Sequence, residues 1–260
     1  MLKLESGDMF PLVIIESDIL PQAWELSVKE VYEKGIDINS EWNTKCREVT
    51  AIIKVKEPLK EPRIHLAGVL DFKSLFTYIK EILYGINDWR IGKDWHYTYH
   101  ERLMSYEVDG RKIDQIDYII EKLVQAPYSR RAIAITWMPH KDQFVDSPPC
   151  LQLIQCRVIN GRLCMWVVFR SNDAFKAAFY NMLALTTLQK IIAKKLGVGV
   201  GSYTHIASSY HIYESDLKYV KHLVKLINEG KSHLKYWTIK QALKFYNDND
   251  TELMKILLNV

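Results

Sequence analysis

The dipeptide Asn160-Gly161 stands between two apolar runs, residues 151–159 and 163–169. A two-residue type I′ turn needs positive φ at both central positions, and Asn-Gly reaches it most easily, so this spacing predicts a β-hairpin. The middle of the chain is thereby committed to a sheet. Residues 132–137 read as a short buried strand, and residues 49–55 as another, rich in β-branched side chains and ending before Pro58. Helical spacing covers residues 21–34, with Ser17 or Asp18 as the cap and Gly35 as the stop, and recurs over 72–84, 113–124 and 179–196, the last closed by Gly197. Strands and helices mixed without a regular βαβ repeat predict an α+β fold.

Composition narrows the class. Over 260 residues, 48% hydrophobic and 25% charged, the apolar content runs evenly and no Pro/Gly/Ser-rich or single-sign stretch marks a linker, so one domain over residues 1–260 is expected. A formal charge of +4 spread along the chain predicts no nucleic-acid partner, although local basic clusters suit a phosphorylated small molecule. The cysteines at 46, 150, 156 and 164 form no CxxC pair, so no metal site is expected. The opening Met-Leu-Lys-Leu-Glu-Ser-Gly-Asp lacks a leader pattern, and there is no run of about 18 apolar residues. No membrane partner is expected, and a cytoplasmic location with reduced thiols follows.

Four places can carry chemistry. Pro148-Pro149-Cys150 puts a thiol after two rigid residues at a strand entrance, and the hairpin return brings Arg170 back towards the same sheet edge. A guanidinium there would favour the thiolate nucleophile; a buried structural cysteine is the alternative. Ser129-Arg130-Arg131 and Arg170-Ser171 offer guanidinium forks for a phosphate, or simply face solvent. His211 and Tyr213 share one strand face and could bond sugar hydroxyls, or sit half-buried and satisfied. Glu81 lies among apolar neighbours on its helix, where a carboxylate is costly unless paired or functional, unless it turns outward.

Taken in order, these pieces resemble the thymidylate synthase family from about residue 72 to 217. Tyr78-Ile-Lys-Glu-Ile-Leu-Tyr84 is similar to the family's catalytic-glutamate helix; Ile113-Asp-Gln-Ile116, Pro127-Tyr-Ser-Arg-Arg131, Pro149-Cys150, Arg170-Ser-Asn-Asp173, Asn181 and His211-Ile-Tyr213 follow with family-like spacing. The resemblance implies a mixed sheet with flanking helices and a homodimer through back-to-back sheets. It further implies that 5,10-methylenetetrahydrofolate donates a one-carbon unit to C5 of a pyrimidine nucleoside 5′-monophosphate. Cys150 would add to C6; Glu81 and Tyr99 would manage protons through ordered water; Arg130 and Arg131 would reach the partner subunit's phosphate site; Arg170 and Ser171 would hold the phosphate from within. Asn181 would bond the pyrimidine edge, His211 and Tyr213 the sugar, and Asp173 would face folate.

The chain also departs from the family's pattern. It ends Glu252-Leu-Met-Lys-Ile-Leu-Leu-Asn-Val260 in place of a recognisable closing tail, and the arginine loop is replaced by Asn43-Thr-Lys-Cys-Arg47, where Lys45 or Arg47 could substitute. Leu151 follows the nucleophile where the family has His, and Ala177 replaces a glycine. A closed, dry site protects a reactive intermediate from hydration, so these departures favour hydroxymethylation by water capture, as in CMP or dCMP hydroxymethylases, with dUMP methylation to dTMP as the alternative. Asn181 suits uracil through its oxygen and nitrogen in one orientation, and cytosine when flipped; the deoxycytidylate hydroxymethylases are expected to carry aspartate there, which weighs for uracil. A noncatalytic pyrimidine-nucleotide binder is the reading from another class, against which Cys150, Glu81 and Asp173 together weigh. Without the resemblance, a cysteine hydrolase would be the enzyme reading, although no His/Asn arrangement supports it.

Overall fold

The computed structural model describes residues 10–41, 44–246 and 251–258. The leader reading at the first eight residues, Asn43 and the final Asn259-Val260 lie outside the described residues.

Strand β1 (Leu12–Ser17) alternates exposed and buried residues and leads into α1 (Leu20–Lys34). Neither Ser17 nor Asp18 caps that helix: its N-cap is Ile19, Pro21 occupies the first turn, and Ser17 Oγ donates instead to Gln22 Oε1 at 2.7 Å. After Gly35 come β2 (Ile36–Asn39) and β3 (Lys45–Val55), which pair antiparallel; this partner extends β3 four residues ahead of the predicted strand. Short β4 (Ile64–His65) precedes α2 (Phe72–Tyr84), whose cap Asp71 accepts from the Ser74 backbone N–H at 2.7 Å. Then follow α3 (Tyr99–Met104), the hairpin of β5 (Tyr106–Val108) and β6 (Arg111–Ile113), and α4 (Gln115–Gln125). Ile113 belongs to that hairpin, and the Asp114 carboxylate caps α4 through Ile116 and Asp117, so the helix starts later than apolar spacing predicts.

The second half contains β7 (Ile133–Ile135), α5 (Pro139–Asp142), β8 (Leu151–Ile159), β9 (Arg162–Asp173), α6 (Ala178–Leu196) and β10 (Gly199–Tyr213). It closes with α7 (Leu217–Asn228), β11 (Tyr236–Trp237), α8 (Ile239–Leu243) and α9 (Thr251–Leu258). Between β8 and β9, Asn160 and Gly161 adopt φ of 50° and 69°, as the hairpin signal requires.

The principal sheet runs β1-β3-β10-β9-β8-β7, with β2 also on β3. It is mixed: β1 is parallel to β3 and β10 parallel to β9, while the remaining pairs are antiparallel. Ile53, Val55, Ile154, Met165, Val167 and Phe169 are buried in one core with the helices. Helix α6 is buried around its circumference, from Phe179 and Leu183 to Leu188 and Ile192, because other elements cover it on every side. The opposite sheet face carries half-buried Ile52, Ile206, Val168 and Leu153, which the register sets in one row across four strands.

Candidate active site

Strand order concentrates the chemistry. Because β9 and β10 are parallel and in register at their C-terminal ends, Ser171 lies beside Ser209 and Asp173 beside His211. Cys150 immediately precedes β8, whose partner β9 returns with Arg170 donating its backbone N–H to the Cys150 carbonyl at 2.9 Å. A cavity of about 390 Å³ opens between these strand ends and α6; Cys150, Ser171, Asp173, Asn181, His211 and Tyr213 line it together with Tyr99. Seven of the eleven expected site residues thus converge from separated stretches of chain, and Glu81, Arg130, Arg131 and Arg170 do not line this cavity.

The loop that carries Cys150 is held from both sides. Arg170 donates from Nε to the Pro149 carbonyl at 3.0 Å and from Nη2 to the Pro148 carbonyl at 2.7 Å, while the Leu151 backbone N–H donates to Tyr99 Oη at 3.1 Å. The sequence suggests Arg170 as a phosphate ligand; here these two donors grip the turn that presents the thiol. Burial pushes the Cys150 thiol above its ordinary value, and the Arg170 charge opposes that rise.

Asp173 Oδ1 accepts the backbone N–H groups of Phe175 and Lys176 at 3.0 and 2.9 Å, which turns the chain from β9 into α6 and sets Asn181 on the cavity wall. Burial raises the Asp173 carboxyl and depresses His211; Asp173 opposes the depression of His211. The His211 ring meets Tyr213 edge-on at 5.0 Å, and its Nδ1 lies 3.3 Å from Ser209 Oγ.

Glu81 lines a neighbouring cavity of about 330 Å³ with Trp95, Tyr97 and Ser147, separated from the first by the shared Tyr78 and Tyr99. Its Oε2 accepts from Asn87 Nδ2 at 2.8 Å, and burial, with Asp88 adding to it, raises its carboxyl. Arg130 and Arg131 are exposed and line neither cavity; their carbonyls accept from Gln155 Nε2 and Tyr118 Oη. A third cavity, about 550 Å³ and walled by Leu66, Phe175 and Tyr219, meets the first at Lys176 and is rimmed by Lys218 and Lys235.

Tyr78 and Lys176 escaped the sequence reading. Tyr78 stands three residues before Glu81 on α2, hence on the same helix face, and Lys176 three residues after Asp173; both spacings were available as signals. Among the described residues, no cluster of three or more His, Cys, Asp or Glu could hold a metal ion, and no helix is long and apolar enough to cross a membrane.

The family model for thymidylate synthase matches residues 25–255. The chain is also 40% identical over 217 residues to a protein of Methanocaldococcus jannaschii named "putative thymidylate synthase", covering 81% of this chain and 95% of that one. Proteins of the same name from Methanosarcina barkeri and Methanosarcina acetivorans are 34% and 32% identical over 215 residues, each covering 83% of this chain and 96% of the relative. The chain belongs to the thymidylate synthase family. It is a one-carbon transferase of nucleotide biosynthesis, from a family that binds a nucleoside monophosphate and uses methylenetetrahydrofolate as cosubstrate.

Proposed function

We propose that this chain transfers a one-carbon unit from 5,10-methylenetetrahydrofolate to C5 of a pyrimidine nucleoside 5′-monophosphate through a covalent Cys150–C6 adduct, and that the product is the methylated nucleotide. The observation that carries the proposal is the meeting of Cys150, Asn181, His211, Tyr213 and Asp173 in one cavity. A pyrimidine C5 is a poor nucleophile until a thiolate adds at C6; the ring then becomes enolate-like and C5 can attack an electrophilic carbon. Cys150 supplies the thiolate, and Asn181 steadies charge on the base. Glu81, a carboxyl that burial raises, is suited to passing a proton, and Tyr99 bridges its cavity to that of Cys150. Ser171 holds the phosphate from within while Arg170 holds the Cys150 turn beside it; His211 and Tyr213 hold the sugar, and Asp173 a polar edge of the folate.

The cavity at Lys176 suits a long cosubstrate: apolar walls for its aromatic body and lysines at the rim for terminal carboxylates. Arg130 and Arg131, exposed and away from their own cavity, are available to a second subunit. The sheet face bearing Ile52, Ile206, Val168 and Leu153 supports back-to-back pairing with such a subunit. The core linking Val13 to Leu257 supports one catalytic domain.

The name shared by the relatives supports methylation. Hydroxymethylation is the second reading, favoured by one observation: among the described residues, none of α9 lines the Cys150 cavity, so this helix does not shield the site from water. Mass spectrometry of UMP, dUMP, CMP and dCMP after incubation with methylenetetrahydrofolate separates the two. A methylated nucleotide with equimolar dihydrofolate is expected; a hydroxymethylated one without dihydrofolate would replace it with the second reading.

A further inference from the structure

Tyr78 has no part in the covalent step or in holding phosphate and sugar, yet it touches a polar group on which base recognition turns. Its O–H donates to Asn181 Oδ1, across 103 residues of sequence, and both side chains line the Cys150 cavity. Burial, with Glu81 and Cys150 nearby, keeps the phenol protonated throughout the working pH range. A phenol has one proton to give, and here it is given to the amide oxygen.

An asparagine amide can present its oxygen or its nitrogen to a ligand, and a half-turn about its terminal bond exchanges the two. The bond from Tyr78 removes that freedom. With Oδ1 held on the phenol's side, the amide keeps one oxygen lone pair and its two N–H donors. That acceptor-beside-donor edge complements the N3–H and 4-keto oxygen of uracil. Cytosine carries the reverse, a bare N3 and a 4-amino group. The ring cannot turn over to compensate, because C6 must stay within reach of the Cys150 thiol and N1 carries the sugar. Turning the amide over would strip the Tyr78 proton of its acceptor in an enclosed site, a penalty on the order of tenfold or more in affinity.

We propose that Tyr78 is a positioning residue that sets base selectivity, holding the Asn181 amide in the orientation that accepts uracil and disfavours cytosine. This rests on the pyrimidine-nucleotide reading above and deepens it by naming the base. The test measures dissociation constants and C5-tritium release for the uracil and cytosine 5′-monophosphates, ribo and deoxy, on the wild-type protein and on Tyr78→Phe. Wild type should prefer uracil by at least tenfold, and Tyr78→Phe should narrow that ratio by roughly tenfold, mainly through gained cytosine binding. A purely structural role would weaken both bases alike. Tyr78→Leu, a second hydroxyl-free variant, should show the same narrowing if the Phe variant folds poorly. An unchanged ratio in variants that still bind nucleotide, or a wild type that prefers cytosine, overturns the role of Tyr78. A wild type that binds none of these nucleotides overturns the nucleotide reading itself.

Discussion

At the scale of single residues, Cys150 shows burial and charge pulling in opposite directions. Burial raises the thiol and Arg170 lowers it, with burial prevailing. As pH rises the thiolate fraction grows, and its midpoint lies above the ordinary thiol value. Alkylation of Cys150 by iodoacetamide, followed by peptide mass spectrometry, should therefore still be accelerating beyond about pH 8.5. Arg170→Gln should move the midpoint higher still, because the opposing charge is lost along with the bonds to the Pro148 and Pro149 carbonyls; a midpoint that fell would contradict the assigned role. The sequence already placed Cys150 at a strand entrance with Arg170 nearby. It could not show that Arg170 spends Nε and Nη2 on the carbonyls of Pro149 and Pro148, since that depends on how the loop before β8 folds back across β9. The Tyr78 bond to Asn181 was hidden for the same reason: helix spacing put Tyr78 on the Glu81 face, but packing of α2 against α6 joined it to the amide.

Secondary-structure elements were legible wherever local chemistry decides them. Helix α2 spans the predicted residues because Asp71 caps it and Gly85 stops it. Strand β3 outran its prediction because its first residues are held by pairing with β2 and β10, partners distant from local sequence signals, and α4 began late because a side-chain cap outranked the apolar pattern. Gly85 adopts φ of 61°, and a Cβ there would lie 2.2 Å from His100 Nδ1 and 2.6 Å from Asp88 Oδ2, two side chains bonded to each other at 2.7 Å. Gly85→Ala should cost about 2 kcal/mol or more, adding that clash to the left-handed backbone penalty, and lower the thermal midpoint. Helix α3 carries Tyr99. Arg102 donates from Nη1 and Nη2 to the Asp142 carboxylate at 2.9 and 2.8 Å, both side chains buried, tying α3 to α5 ahead of the Cys150 loop. Asp142→Asn should lose about 1–3 kcal/mol in denaturant titration, because the buried guanidinium loses its bidentate carboxylate and keeps only Glu101 and the Thr136 carbonyl; a loss well below 1 kcal/mol would show that the pair is not structural.

For the whole molecule, the α+β class and the mixed sheet were expected, whereas the strand order was not, because register between distant strands is a tertiary property. That order brings β8, β9 and β10 together with Cys150, Asp173 and His211 at neighbouring ends. It also leaves the row Ile52, Ile206, Val168 and Leu153 on the face away from the helices. If two copies pair through that face, sedimentation should give twice the chain mass of 30.5 kDa, and Ile206→Lys should give the single-chain mass. Activity should fall with dimer loss if Arg130 and Arg131 serve the partner's site.

Covalent catalysis by Cys150 is read out by the intact mass of the protein after incubation with 5-fluoro-dUMP and methylenetetrahydrofolate. Fluorine at C5 cannot leave as a proton, so the adduct should persist and raise the mass by nucleotide plus cosubstrate, with the gain mapping to the Cys150 peptide. Cys150→Ala should bind dUMP with little change, gain no mass and release no tritium from C5. An adduct on another residue, or C5 turnover undiminished in Cys150→Ala, would overturn covalent catalysis by Cys150.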